Sequence, residues 1–163
     1  MSMRNSYTYQ TPKGVAGGLL DISPYSIDSR VNGETDADAL KFGMGAVQGG
    51  SPGVDVLVPT DTDTSDKFEG VVMTGYTNEM DMLGDVKIQH LKTVGILRYG
   101  KAWARIVKGI TPAYGDPLYL VIDGDDAGLF TNDDTDTLEI NGKFIGTAGT
   151  GDVAPVEIYN QKA

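Results

Sequence analysis

From about residue 40 onward, apolar positions recur in short alternating runs. Val54, Val56 and Val58 alternate with Asp55 and Leu57 until Pro59 and Thr60-Asp61 end the run. Phe68 to Thr74 is apolar and β-branched, and Val86 and Ile88 alternate with Asp85 and Lys87. Leu118, Leu120 and Ile122 alternate with Tyr119 and Val121, and Asp123-Gly124 supplies a turn before Leu129-Phe130-Thr131. Phe144-Ile145 and Val153 to Ile158 complete the series. Strand-sized runs punctuated by Gly, Asp, Pro and Asn predict an all-β fold, a small β-barrel or β-sandwich of short strands. No apolar period of 3.6 residues persists over a helix-sized window; one short helical turn is expected around Asp36 to Phe42.

Ile96 to Val107 is the longest expected strand. Alternation puts Ala102, Ala104 and Ile106 on one face and Lys101, Trp103, Arg105 and Val107 on the other. The small alanines suit a tight barrel interior. The other face sets the only Trp between two cations, and Trp and Arg are the types enriched at binding hot spots. The alternative is that Trp103 is a core residue and the strand is bulged at Gly100.

Residues 1–30 lack this regularity. Tyr7, Tyr9, Pro12, Gly14, Gly17, Gly18, Pro24 and Tyr25 break any period, so the segment reads as an extended N-terminal arm, with residues 31–163 as a single β-barrel or sandwich domain. A tyrosine-bearing arm poor in aliphatics buries little alone and is suited to ordering on a partner's sheet edge.

Charge and composition narrow the function. The 163 residues carry a formal net charge of −10, which repels phosphate backbones, so no nucleic-acid partner is expected. No apolar run approaches the roughly 20 residues that cross a bilayer, and Met1 to Ser6 has no signal-type apolar core, so no membrane association is expected either. Cysteine is absent, which removes disulfides, thiolate catalysis and Cys-ligated zinc.

Catalytic motifs fail on mechanism. Gly49-Gly50-Ser51-Pro52-Gly53 matches a nucleophile elbow in letters only, because Pro52 lacks the backbone N–H that an oxyanion hole needs there. His90 is the only histidine, which excludes a His-rich metal site. Asp123-Gly124-Asp125-Asp126-Ala127-Gly128 opens like a calcium loop, but Ala127 and Asp134 stand where ligands of other types are needed. Gly43-Met44-Gly45 runs on to Gln48 where a dinucleotide fingerprint needs Gly. No enzyme activity, cofactor or metal is therefore expected.

Charge is also segregated. Val86 to Lys108 holds six cations and no acid, whereas Val121 to Glu139 holds seven acids and no base. Either the two segments neutralise each other, or the basic one meets an acidic protein surface.

The order Gly95-Ile96-Leu97-Arg98-Tyr99-Gly100-Lys101-Ala102-Trp103-Ala104-Arg105-Ile106, Thr111-Pro112-Ala113-Tyr114-Gly115-Asp116-Pro117-Leu118, Gly128-Leu129-Phe130-Thr131, Phe144-Ile145-Gly146-Thr147 and Gly151-Asp152-Val153-Ala154-Pro155-Val156 resembles the capsid cement (decoration) proteins of tailed bacteriophages. Ala16-Gly17-Gly18, Asp28-Ser29-Arg30, Lys41-Phe42-Gly43-Met44-Gly45 and Lys67-Phe68-Glu69-Gly70 extend the likeness over nearly the whole chain. The resemblance implies a structural protein made in the host cytoplasm and carried on the outer capsid surface of the virion. It would bridge neighbouring major capsid protein subunits and associate with itself, a trimer being favoured over a dimer. Tyr7, Tyr9, Tyr25, Arg98, Lys101, Trp103 and Arg105 are the candidate interface residues. Rival readings are a tail or baseplate module and a carbohydrate-binding surface module that stacks sugars on Trp103.

Overall fold

The alternating runs become strands, and the polar punctuation becomes the turns between them. The computed structural model describes residues 14–75, 79–80, 86–147 and 152–159. Its strands are β1 (Ser26–Asn32), β2 (Gly45–Gln48), β3 (Asp55–Leu57), β4 (Phe68–Met73), β5 (Glu79–Met80), β6 (Val86–Lys87), β7 (Thr93–Arg105), β8 (Pro117–Val121), β9 (Phe130–Thr131), β10 (Thr137–Phe144) and β11 (Val153–Ile158). The fold is all-β, as the pattern predicts.

Five strands close on themselves. The order β1-β3-β2-β4-β7 returns to its start because β7 pairs antiparallel with β1, from Ile27 opposite Leu97 to Val31 opposite Thr93. A closed barrel leaves no strand edge open to aggregation. From β7 the sheet continues through β11, β10, β8 and β9. It curls until Phe130 forms a parallel bridge with Ile106 just beyond β7, where the Val107 N–H donates to the Phe130 carbonyl at 3.0 Å. β7 is thus a stave of both halves, and its 13 residues explain why it is the longest strand.

Each half has its own core. The closed barrel is filled by Leu40, Ala46, Val56, Val72, Ile88, Val94 and Ile96. The second half packs Ala102, Ala104, Ile106, Leu118, Leu120, Phe130, Ile140, Phe144, Ala154, Val156 and Ile158 against Phe68, Val71, Met73 and Leu97 from β4 and β7. Phe68 and Phe130 meet edge to face, centroids 6.3 Å apart, and tie the halves together. Burying each such large side chain stabilises the fold by roughly 1.5–3 kcal/mol.

β7 serves two cores because its alternation changes phase. Leu97 and Ala102, of opposite parity, both reach the second core. Between them the pairing with β1 skips a residue of β7, from Ser26–Tyr99 to Ile27–Leu97, and Gly100 takes φ 133°. The skipped residue is Arg98, so the bulge lies two positions before the Gly100 that the sequence alternative named, and it lets one strand turn a barrel corner. Opposite, Gly70 (φ 148°) has no room for a side chain, since a Cβ would stand 2.1 Å from the Leu97 carbonyl oxygen.

Three segments differ from expectation. Residues 36–42 form turns without a helix: Asp36 accepts the Asp38 N–H at 2.9 Å, a local bond that competes with helical pairing. β10 begins at Thr137, well before Phe144, because its outward Glu139, Asn141 and Lys143 mask it in a hydropathy reading. Residues 26–30, expected as the end of the arm, lie in β1 and belong to the closed barrel.

Candidate interaction surface

The N-terminal segment is stitched into the seam where β4 and β7 diverge. Past Leu97, β7 leaves β4 to pair with β11, so its other edge at residues 101–103 needs partners. Residues 16–20 supply them. The Gly17 N–H donates to the Trp103 carbonyl at 2.8 Å, the Trp103 N–H to Gly18 at 2.9 Å and the Leu20 N–H to Lys101 at 3.1 Å. On the β4 side, the Thr74 N–H donates to Gly17 at 2.8 Å and its hydroxyl to the Ala16 carbonyl at 2.7 Å. Gly14 lies against the indole of Trp103, so closely that an added Cβ would fall 1.9 Å from a ring carbon.

Trp103 therefore takes a third position between the two considered from sequence. It faces away from the second core, as the alternation requires, and its ring is covered by the chain's own Gly14. Lys101 beside it pairs with Asp21 at 3.3 Å. The Ser23 hydroxyl and N–H both bond the Asp21 carboxylate and hold its pKa below the ordinary value, with smaller help from Lys101. Tyr25 is half exposed and stands over Gly100. Tyr7 and Tyr9 lie outside the described residues.

Arg98 is elsewhere. Following Ile96 by two residues, it turns into the mouth of the closed barrel, as Gln48 follows Ala46 on β2 and Arg30 precedes Asn32 on β1. There Glu69, 3% exposed, accepts from Arg98 at 3.0 Å, from Arg30 at 3.2 Å and from Gln48 at 2.9 Å, and Asp28 completes the cluster 3.2 Å from Arg30. These residues form an ionic plug across one end of the barrel. Buried charge is tolerated there because each group has an opposite charge or a hydrogen bond.

Arg105 is separate again. Its Nε donates to the Phe42 carbonyl at 2.8 Å and it lines a groove of about 440 Å³ with Lys41 and Lys108. The structure thus brings Lys101 and Trp103 together under the N-terminal segment, and places Arg98 and Arg105 in two other settings. Among the described residues no ion pair joins the two charged windows: Lys87, Arg98 and Lys101 pair with Asp38, Asp28, Glu69 and Asp21, while Arg105 and Lys108 only share a groove with Asp125 and Asp126. Gly14, Glu69 and Lys41 escaped sequence reasoning, because nothing local marks a glycine as a tryptophan's cover or an acid as a barrel plug. Asp123 to Gly128 forms a turn around a 3-10 segment, Gly124–Asp126, with the Asp123 carboxylate accepting the Gly124 N–H.

Comparison with known proteins gives one family and one fold. The family model described as "Structural cement protein (E217 gp24/Pam3 gp6)" matches residues 3–159. No curated protein matches the chain. A solved chain from "The capsid of Myoviridae Phage XM1" shares the fold, with a TM-score of 0.72 at 17% identity, covering 99% of this chain and 100% of that one.

Proposed function

The chain belongs to the family of phage structural cement proteins, and from that premise we propose that it binds the outer surface of an assembled capsid and bridges neighbouring major capsid protein subunits. It acts as a homo-oligomer and without catalysis. Adhesion through several contacts per oligomer converts weak individual interactions into durable attachment.

The anchored N-terminal segment is the observation that carries this reading. The barrel is closed, and the exposed edge of β7 is taken by residues 16–20, so the body offers few strand edges for sheet addition. A segment whose root, residues 16–20, is held by five hydrogen bonds is suited to lie on a neighbouring subunit while the body stays rigid. Residues 1–13, with Tyr7 and Tyr9, begin at this anchored point and are proposed to make the arm contact with the shell. Tyr25 and the exposed Leu19 and Ile22 beside it extend the contact surface onto the body.

Sedimentation of purified protein with empty phage shells tests the proposal. Saturable binding that raises the temperature at which shells break open is expected. Protein that stays in the supernatant at every shell concentration would refute it.

A further inference from the structure

Ion pairing among the described cations is uneven, and the exceptions sit together. Arg30, Lys67, Lys87, Arg98, Lys101 and Lys143 each pair with a carboxylate. Lys41, Arg105 and Lys108 make no ion pair among the described residues, and all three line the same groove. Acids are within reach of the site: Asp38, Asp125, Asp126 and Asp152 share its walls without pairing to any of the three, Asp38 being taken by Lys87. A second hollow of about 510 Å³ adjoins it, with Lys41 and Arg105 again in its wall.

Arg105 is the fixed element. It is partly buried, and its Nε is spent on the Phe42 carbonyl at 2.8 Å, which aims the guanidinium while its terminal amino groups bond nothing among the described residues. A pre-oriented guanidinium fork is the geometry that receives a carboxylate bidentately. The lining is mixed in charge, so it is the unspent, aimed guanidinium of Arg105, with Lys41 and Lys108 beside it, that is placed to meet an acid from outside.

We infer that the groove of Lys41, Arg105 and Lys108 docks a carboxylate-bearing loop of the shell subunit on which the protein sits. This rests on the proposed function and names the partner chemistry of a second contact, distinct from the N-terminal segment. Rim acids define the partner further. Asp38, Asp125, Asp126 and Asp152 repel a uniformly anionic polymer but accept a loop whose carboxylate is flanked by neutral or basic residues. A second copy across a twofold axis fits poorly, because that contact would set the lining acids of one molecule against those of the other. Contacts of this kind govern association and salt dependence more than total affinity.

Shell co-sedimentation over a salt series, with the parent protein, the K41A/R105A/K108A variant and the charge-reversed K41E/K108E variant, tests this. The second variant keeps Arg105 and its bond to Phe42, so it reports even if the first is unstable. Parent binding should weaken as salt rises, and both variants should bind about tenfold more weakly with a flatter salt dependence. Variants that bind like a binding-competent parent overturn the groove alone. A parent that never sediments with shells overturns the proposed function and the groove with it. A variant that changes the mass of the free protein while shell binding is unchanged makes a second copy the occupant and overturns the inference as stated.

Discussion

Gly14 covers the indole of Trp103 at a distance that leaves no space for even a methyl group. The contact couples the start of the described chain to the strand shared by both halves of the fold. Gly14→Val should push residues 14–20 off the edge of β7 and solvate the ring. Because Trp103 is the only tryptophan, its emission should shift to the red. Overpacking of this kind costs about 1–3 kcal/mol, read as a lower urea midpoint, and shell binding should weaken in parallel.

Truncations should separate arm from anchor. On sequence grounds, deletion through residue 25 is an arm deletion; in the fold it also strips the hydrogen bonds that residues 16–20 make to β7 and Thr74. Removing residues 2–13 should leave the thermal midpoint unchanged and abolish shell binding. Removing residues 2–25 should cost roughly 3–5 kcal/mol more, at about 1 kcal/mol per hydrogen bond. It should also promote aggregation through the bared strand edge. Thermal melts and light scattering of the two truncations check both outcomes.

Glu69 should be the most sensitive charged position. Glu69→Ala removes the buried acid that faces Arg30 and Arg98 and leaves the mostly buried Arg30 with Asp28 alone. A loss of about 3 kcal/mol is expected, the scale for breaking a buried pair by removing one partner. Glu69→Gln keeps an acceptor for the arginines and should lose less. Urea unfolding followed by Trp103 emission measures both.

Acid should loosen the turns before it disrupts the cores. Asp116 accepts the Ala113 N–H at 2.8 Å and the Asn132 side-chain amide at 3.0 Å, which holds its pKa below the ordinary 3.8. The Thr135 N–H and hydroxyl do the same for Asp133. At Asp63 burial pushes upward, but the Thr60 N–H, with Lys67 and the Thr60 hydroxyl, outweighs it and the net shift is downward. A depressed folded pKa means the folded state binds fewer protons than the unfolded one. The stability it confers is present above about 3.8 and lost as pH falls through the folded values. The melting temperature should be nearly flat between about pH 5 and 7 and fall below pH 4. Asp116→Asn should melt lower at neutral pH and show a shallower acid limb.

Strand positions were legible because the information is local. A period of two marks β3 and β8, and short apolar runs mark β4 and β11, to within a residue or two; alternation also assigns Ala102, Ala104 and Ile106 to the core face without reference to anything distant. β1 and β10 were harder to read, because their outward polar residues lower the apolar signal that the pattern depends on.

The candidate surface was legible in residue type and illegible in arrangement. Arg98, Lys101 and Arg105 look equivalent along one strand, yet each is assigned its partner by a different element: Glu69 from β4, Asp21 from the N-terminal segment, and the Phe42 carbonyl from the loop before β2.

By itself the sequence determined that this chain is a series of short strands, acidic overall and without cysteine. Each of those properties resides in individual residues or their immediate neighbours. Only the tertiary structure decided that five strands close into a barrel, that Gly14 caps Trp103, and that Lys41, Arg105 and Lys108 share a groove. Electrostatic and packing energies depend on distances in space, and pairing across 29 residues between Glu69 and Arg98, or 63 between Phe42 and Arg105, leaves no periodic trace along the chain.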